Sequence, residues 1–166
     1  MKMERKFILY LTIGIPGSGK SRWVKKFVED QHHRNIHVIS SDALRREILG
    51  DDQNVNVSQH AMIHDEERKR IKKLLSDPSL TSPVIDIIID ATNCDVHEWE
   101  KFANLNPTLM IAKVFDRDVE QSMKNQTHRE RKIPENIVKK YHSEFTKNKK
   151  FLSQFFNIID YIPYEP

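Results

Sequence analysis

Eight residues constrain this chain more than any others: Gly14-Ile15-Pro16-Gly17-Ser18-Gly19-Lys20-Ser21, which fits G-x-x-x-x-G-K-[ST] at every fixed position. The apolar run Phe7–Ile13 precedes the loop and reads as a strand. Lys20–Asp30 follows it, with Trp23, Val24, Phe27 and Val28 recurring at helical spacing. A strand that breaks into a glycine-rich turn and then a helix is built to cradle phosphate. The glycines let the backbone curl until its amides point inward at phosphate oxygens. The helix adds the positive end of its dipole. In this reading Gly14, Pro16, Gly17, Ser18 and Gly19 shape the cradle, Lys20 reaches the β- and γ-phosphates, and the Ser21 hydroxyl ligates Mg²⁺. ATP fits better than GTP, because no Asn-Lys-x-Asp guanine reader is present. A turn that binds nothing is the plain alternative, and agreement of both residues and context weighs against it.

The rest of the chain supports one α/β domain over residues 1–166. Apolar runs alternate with helical patterns, which implies strand–helix units around a parallel sheet. Further strands are expected at His37–Ile39, Val84–Ile89 and Thr108–Phe115, with FNIIDYI near the C-terminus as a last edge strand. Helices are expected at Asp42–Leu49, Ser58–Leu75, Val96–Leu105 and Val119–Asn125, and from Pro134 to about Phe145. The net charge of +3 permits a polyanionic partner without requiring one. Cys94 is the single cysteine, so no internal disulfide forms, which fits a reducing compartment. The basic, then apolar, start of the chain has the outline of a signal peptide, but its apolar run is short and leads into the glycine loop. No segment is apolar for long enough to span a membrane, and the expected location is cytoplasmic.

Holding a triphosphate does not name the acceptor: water makes a hydrolase or switch, a substrate hydroxyl makes a kinase. Ligands of such sheets sit beyond the carboxyl ends of the strands. At the second strand's end stands Asp42, with Arg45 one turn later on the same helix face. The carboxylate can orient a hydroxyl and take its proton. The guanidinium can clamp an anionic group beside that hydroxyl. On local pattern alone, Ser41 or Asp42 serves equally well as a helix cap, and Asp42–Arg45 as a surface ion pair. Asp90 ends the apolar strand IIIDATN, where it can hold Mg²⁺ through water, or merely begin an Asx-type turn before Thr92 and Asn93. Residues 113–150 carry eleven Lys and Arg against six Asp and Glu, a net of +5. Lys124, His128, Arg129, Arg131 and Lys132 cluster in KNQTHRERKIP, either as a cationic lid over the triphosphate or as a solvated basic face.

Other features read as structural. His60 and His64, at i and i+4, lack the glutamate of H-E-x-x-H and a third ligand, so they are expected as surface histidines, with His32 and His33 solvated in a turn. Cys94 has no partner to activate it. Trp23, Trp99 and Phe102 are expected in the core, and Glu66–Arg70 as an exposed face of mixed charge.

Taken together, LTIGIPGSGKSRW, Asp42 and Arg45 in SSDALRR, IIIDATN, EWEKFA and KVFD resemble the kinase domain of phage-type polynucleotide 5′-hydroxyl kinases, over roughly Lys6 to Phe145. The resemblance implies a P-loop kinase fold, with a parallel sheet of about five strands between two layers of helices and a lid near 117–133. It implies ATP and Mg²⁺ as cofactors, and a nucleic acid 5′-hydroxyl end, DNA or RNA, as acceptor. It assigns phosphate and metal contacts to Lys20 and Ser21, the general base to Asp42, the acceptor-phosphate grip to Arg45 and a supporting role to Asp90. Two departures stand out. The family's Arg-Asn-x-x-Arg lid aligns with Lys124, Asn125 and His128, with Arg129 or Arg131 as substitutes, and Ser41 precedes Asp42 where a basic residue is usual. Nothing here matches the phosphatase domain of the bifunctional members, so a phosphatase or ligase partner would come from another chain. Other hydroxyl acceptors remain open: a nucleoside, a small metabolite, an aminoacyl-tRNA or a hydroxymethylated base. So does a nucleotide-gated binding module with no acceptor.

Overall fold

The strand that leads into the glycine loop takes the centre of a five-stranded, all-parallel sheet. The computed structural model describes residues 5–31, 35–50, 57–128 and 132–165, without the side chains of Val57, Ser58 and His128. β1 (Lys6–Ile13) pairs with β3 (Val84–Asp90) on one side and β4 (Leu109–Val114) on the other. β2 (Ile36–Ser40) and β5 (Ile158–Tyr161) form the edges, giving the order β2-β3-β1-β4-β5. A parallel sheet is covered on both faces, so its inner strands read as unbroken apolar runs. Accordingly, Leu9, Leu11 and Ile13 of β1 are buried, and so are Ile85, Ile87, Ile88 and Ile89 of β3.

The two helical layers are unequal. On one face Leu9, Leu11, Ile87, Ile89, Ala112 and Val114 pack under most of the helices. These are α2 (Ser41–Leu49) through Leu44, α3 (Val57–Leu75) through Ile63 and Ile71, and α4 (Val96–Ala103) through Trp99 and Phe102. α6 (Glu135–Asn148) adds Phe145 and α7 (Leu152–Phe155) adds Leu152. On the other face α1 (Lys20–Asp30) lays Val24 on Tyr10, Ile88 and Ile111. α5 (Val119–Asn125) follows β4 and reaches the glycine loop.

Several boundaries shift for local reasons. α2 is capped neither by Ser41 nor by Asp42: the Ser40 hydroxyl accepts from the Ala43 amide at 3.3 Å, so the helix starts at Ser41. Pro134 is the N-cap, not the first helical residue, with ψ at 146°. α4 ends at Ala103, two residues early, and α7 has no counterpart in the sequence reading. The stretch Glu66–Arg70 is not one exposed face. Glu67 is fully buried and hydrogen-bonded to His64 at 3.0 Å, and Arg68 turns inward to donate to Glu98 at 2.6 Å. Among the described residues, no helix is long and apolar enough to cross a membrane. His32 and His33 lie outside the described residues.

Candidate active site

The glycine loop leaves β1 at Ile13 and is tied to the end of β3. The Gly14 amide donates to the Thr92 carbonyl at 3.0 Å, and the Thr12 hydroxyl donates to the Ala91 carbonyl at 2.9 Å. Asn93 is buried in the left-handed region at φ 48°, and its side-chain amide donates to the Thr12 carbonyl at 2.8 Å. Thr12 and Asn93 therefore hold two strand ends together, which sets Asp90 against the loop. The Ser21 hydroxyl donates to Asp90 Oδ2 at 3.0 Å. Two hard oxygen ligands thus converge, as a small divalent cation requires, and the pair fits Mg²⁺. Lys20 is buried, its ammonium donating to the Ile15 carbonyl at 2.8 Å and lying 3.3 Å from the Ser18 hydroxyl. It spans the loop it would help to charge.

An open cleft of about 1480 Å³ runs over this loop. Toward the ends of β2 and β3 it is lined by Asp42, Arg45, His60, His64, Asp95 and Glu98, and by Tyr141 and Glu144 of α6. Arg45 is buried and donates through Nη1 to Asp42 Oδ1 at 3.2 Å, so the pair is held in the cleft wall and is not a loose surface ion pair. Its Nε is buried without a hydrogen-bond partner among the described residues. Its Nη2 meets His60 Nδ1 at 3.1 Å, and His60 Nε2 meets the Tyr141 hydroxyl at 3.3 Å. Arginine only donates, so in this contact Nδ1 is the acceptor.

The expectation of surface histidines is thus corrected at His60 and His64: both are half-buried and line the cleft. For His64, burial opposes the charged form. The hydrogen bond to Glu67, with the charges of Glu67 and Glu98, outweighs it and raises the pKa above the ordinary 6.5. Their i, i+4 spacing was the available signal, but only the packing of α3 beside α2 gives it meaning. Among the described residues, no group of three His, Cys, Asp or Glu could hold a metal. Burial, helped by Asp95, pushes Glu144 up. Burial pushes the Cys94 thiol up to about 12, so it is no nucleophile. Trp99 and Phe102 are in the core as expected, whereas Trp23 is half-buried on the cleft wall, stacked on Phe27 at 4.8 Å.

α5 grips the loop. The Ser122 hydroxyl donates to the Pro16 carbonyl, and the Asn125 amide donates to the Gly17 carbonyl at 2.9 Å. This orientation turns Lys124 away: it is exposed and lines a separate shallow groove with Glu120, Thr127 and Glu135. The sequence offered Lys124 as part of a lid over the triphosphate or of a solvated basic face; the helix places it outside the cleft, one residue from Asn125, which does face the loop. Arg129, Arg131 and the side chain of His128 lie outside the described residues.

A family model described as an AAA domain matches residues 9–148. Among solved structures, a chain of the Pnkp1/Rnl/Hen1 RNA repair complex superposes with a TM-score of 0.69 and 21% identity, covering 90% of this chain and 47% of that one. A second chain of a Pnkp1/Rnl/Hen1 complex gives 0.56 and 24%, covering 75% and 40%. A gluconokinase from Sinorhizobium meliloti 1021 gives 0.62 and 11%, covering 99% and 86%. The chain therefore spans less than half the length of the two repair-complex chains. Curated proteins give no match.

Proposed function

The chain belongs to the AAA domain family and has the fold of the P-loop kinases, and from that premise we propose that it is an ATP-dependent kinase that phosphorylates the 5′-hydroxyl end of DNA or RNA. One observation carries the reading. Asp42 and Arg45, paired at 3.2 Å, open onto the same cleft as Lys20 and the Ser21–Asp90 pair. A pure switch has no use for a carboxylate and a cation on the acceptor side.

The residues divide the work as follows. Loop amides and Lys20 bind the β- and γ-phosphates. Asp42 accepts a hydrogen bond from the acceptor hydroxyl and takes its proton as the oxygen attacks the γ-phosphorus. The new P–O bond forms as the bond to the β-phosphate oxygen breaks, and ADP leaves. Lys20 neutralises charge on the transferring group. Mg²⁺, held by Ser21 and Asp90, supplies further neutralisation of the phosphates when bound. Arg45 brings donors to an acceptor phosphate next to the hydroxyl, and its buried Nε, unpartnered among the described residues, supports an anion there.

A second reading keeps the reaction and changes the acceptor to a small polyhydroxyl compound. Asp95 and Glu144 on the same wall favour it, because carboxylates repel a polyanion and accept from hydroxyls. The test is Asp42→Ala. Transfer to the acceptor should disappear while ATP binding survives. Loss of ATP binding as well would give Asp42 a structural role and remove the basis of the proposal.

A further inference from the structure

An arginine on a cleft wall is useful only if its fork points the right way. A loose arginine samples many rotamers, and a ligand that has to order it binds more weakly. Arg45 is more than nine-tenths buried, and two other helices fix its direction. Its Nη1 donates to Asp42 Oδ1 at 3.2 Å within α2, and its Nη2 meets His60 Nδ1 of α3 at 3.1 Å. His60 is braced from its far side by α6. Its Nε2 lies 3.3 Å from the Tyr141 hydroxyl, and the two rings meet edge-on with centroids 6.3 Å apart at 75°. Each support is rooted in the core. Leu44, beside Arg45, and Ile63, three residues after His60, are buried there, and Tyr141 packs on it next to the turn that carries Phe145. The line Tyr141–His60–Arg45–Asp42 thus joins three helices along the acceptor side of the cleft.

The chemistry of the support matters as much as its position. A guanidinium only donates, so whatever fixes Nη2 must accept. A carboxylate there would add a second negative charge beside Asp42, and the wall itself would neutralise the arginine. An imidazole nitrogen accepts without bringing negative charge. It fixes the direction of the fork and leaves the cation's attraction for an anion in the cleft.

We propose that His60, braced by Tyr141, is a positioning residue that holds Arg45 in the orientation that grips an acceptor phosphate, and so sets the preference for a charged acceptor strand. The proposal rests on the polynucleotide reading, and one experiment separates the two. Steady-state kinetics of the full chain are measured with ATP and two 5′-hydroxyl oligonucleotides, one natural and one with a neutral methylphosphonate as its first linkage, with a melting curve for each variant. His60→Phe keeps a ring against Tyr141 but loses the acceptor, and His60→Leu is the second such variant should the first not fold. Both should raise the KM of the natural oligonucleotide about three- to tenfold, the effect of ordering a side chain only on binding. The kcat, the KM for ATP and the KM for the methylphosphonate should stay within about twofold of the wild type. His60→Asn, which returns an oxygen near the place of Nδ1, should restore the natural KM. Tyr141→Phe should raise that KM in the same direction. In an Arg45→Ala background His60→Phe should add nothing. An equal rise for both oligonucleotides, a loss in kcat alone, or full additivity with Arg45→Ala would each overturn the positioning role. A wild type that phosphorylates the natural oligonucleotide, yet is indifferent to every change at His60, would overturn that role alone; a wild type that phosphorylates neither oligonucleotide would overturn the polynucleotide reading beneath it.

Discussion

Gly17 and Gly19 occupy the same loop with similar backbones, yet their replacement by alanine should have different consequences. Gly17 has φ +79° and Gly19 φ +92°, so alanine at either position enters the left-handed region. That conformation costs an L-residue about 1–2 kcal/mol. At Gly19 the cost ends there, because among the described residues nothing lies within 4 Å of an added Cβ. At Gly17 the Cβ would fall 2.7 Å from the Ser122 carbonyl oxygen and 3.0 Å from Gln126 Cγ. The oxygen belongs to α5 and cannot yield without moving the helix, and overpacking of this kind adds about 1–3 kcal/mol. Gly17→Ala should therefore cost roughly 2–5 kcal/mol against about 1–2 for Gly19→Ala. In a domain of this size each kcal/mol lowers Tm by about 2–4 °C, so the two melting curves should separate clearly. Gly17→Ala should also release α5 from the loop, exposing its residues to hydrogen exchange, while Gly19→Ala should not. Equal destabilisation by the two, or unchanged α5 protection in Gly17→Ala, would refute the contact between helix and loop.

Other outcomes follow from the same geometry. Arg45→Ala should weaken acceptors bearing a phosphate beside the hydroxyl by about 1.5–3 kcal/mol, roughly ten- to 150-fold in KM; the same loss for acceptors without that phosphate would contradict the clamp. His64 has a raised pKa, so the native state holds its proton more tightly than the unfolded state. Its stabilisation is complete below the ordinary 6.5 and is lost as pH rises through the higher native value. Melting curves of wild type and His64→Gln should therefore converge with rising pH, and parallel curves would refute this. Native Cys94 should resist a thiol reagent until the chain unfolds, because burial keeps it protonated; modification at the unfolded rate would contradict its burial. Lys124→Ala should leave donor KM unchanged, whereas a tenfold rise would bring α5's outer face into the site.

The residues that the sequence revealed were those whose role is local. The glycine loop, the helix it opens and the apolar strands each follow from a short pattern, and β1, α1 and β3 lie within a residue of expectation. Asp90 was legible because a strand must end where the sheet's ligands sit, and the register of β3 with β1 then delivers it to Ser21. His60, His64 and Tyr141 were not, since their meaning comes from the packing of α3 beside α2 and from the meeting of His60 with Tyr141 of α6, far along the chain. Lys124 shows the opposite case. The aligned spacing was right for a lid, but on a helix one residue is a turn of 100°, and Asn125 took the inward position.

The central claim is transfer of the γ-phosphate to a 5′-hydroxyl end. The most direct test incubates the chain with Mg²⁺ and γ-labelled ATP, offering matched 5′-hydroxyl and 5′-phosphate oligonucleotides of DNA and RNA beside nucleosides and sugar acids, with Lys20→Ala as control. The account predicts label on the 5′-hydroxyl oligonucleotides alone, abolished in Lys20→Ala and falling steeply with salt. Label on a sugar acid or nucleoside, insensitive to salt and absent from every oligonucleotide, would contradict the polynucleotide acceptor and leave the acidic wall of Asp95 and Glu144 as the guide to the true one.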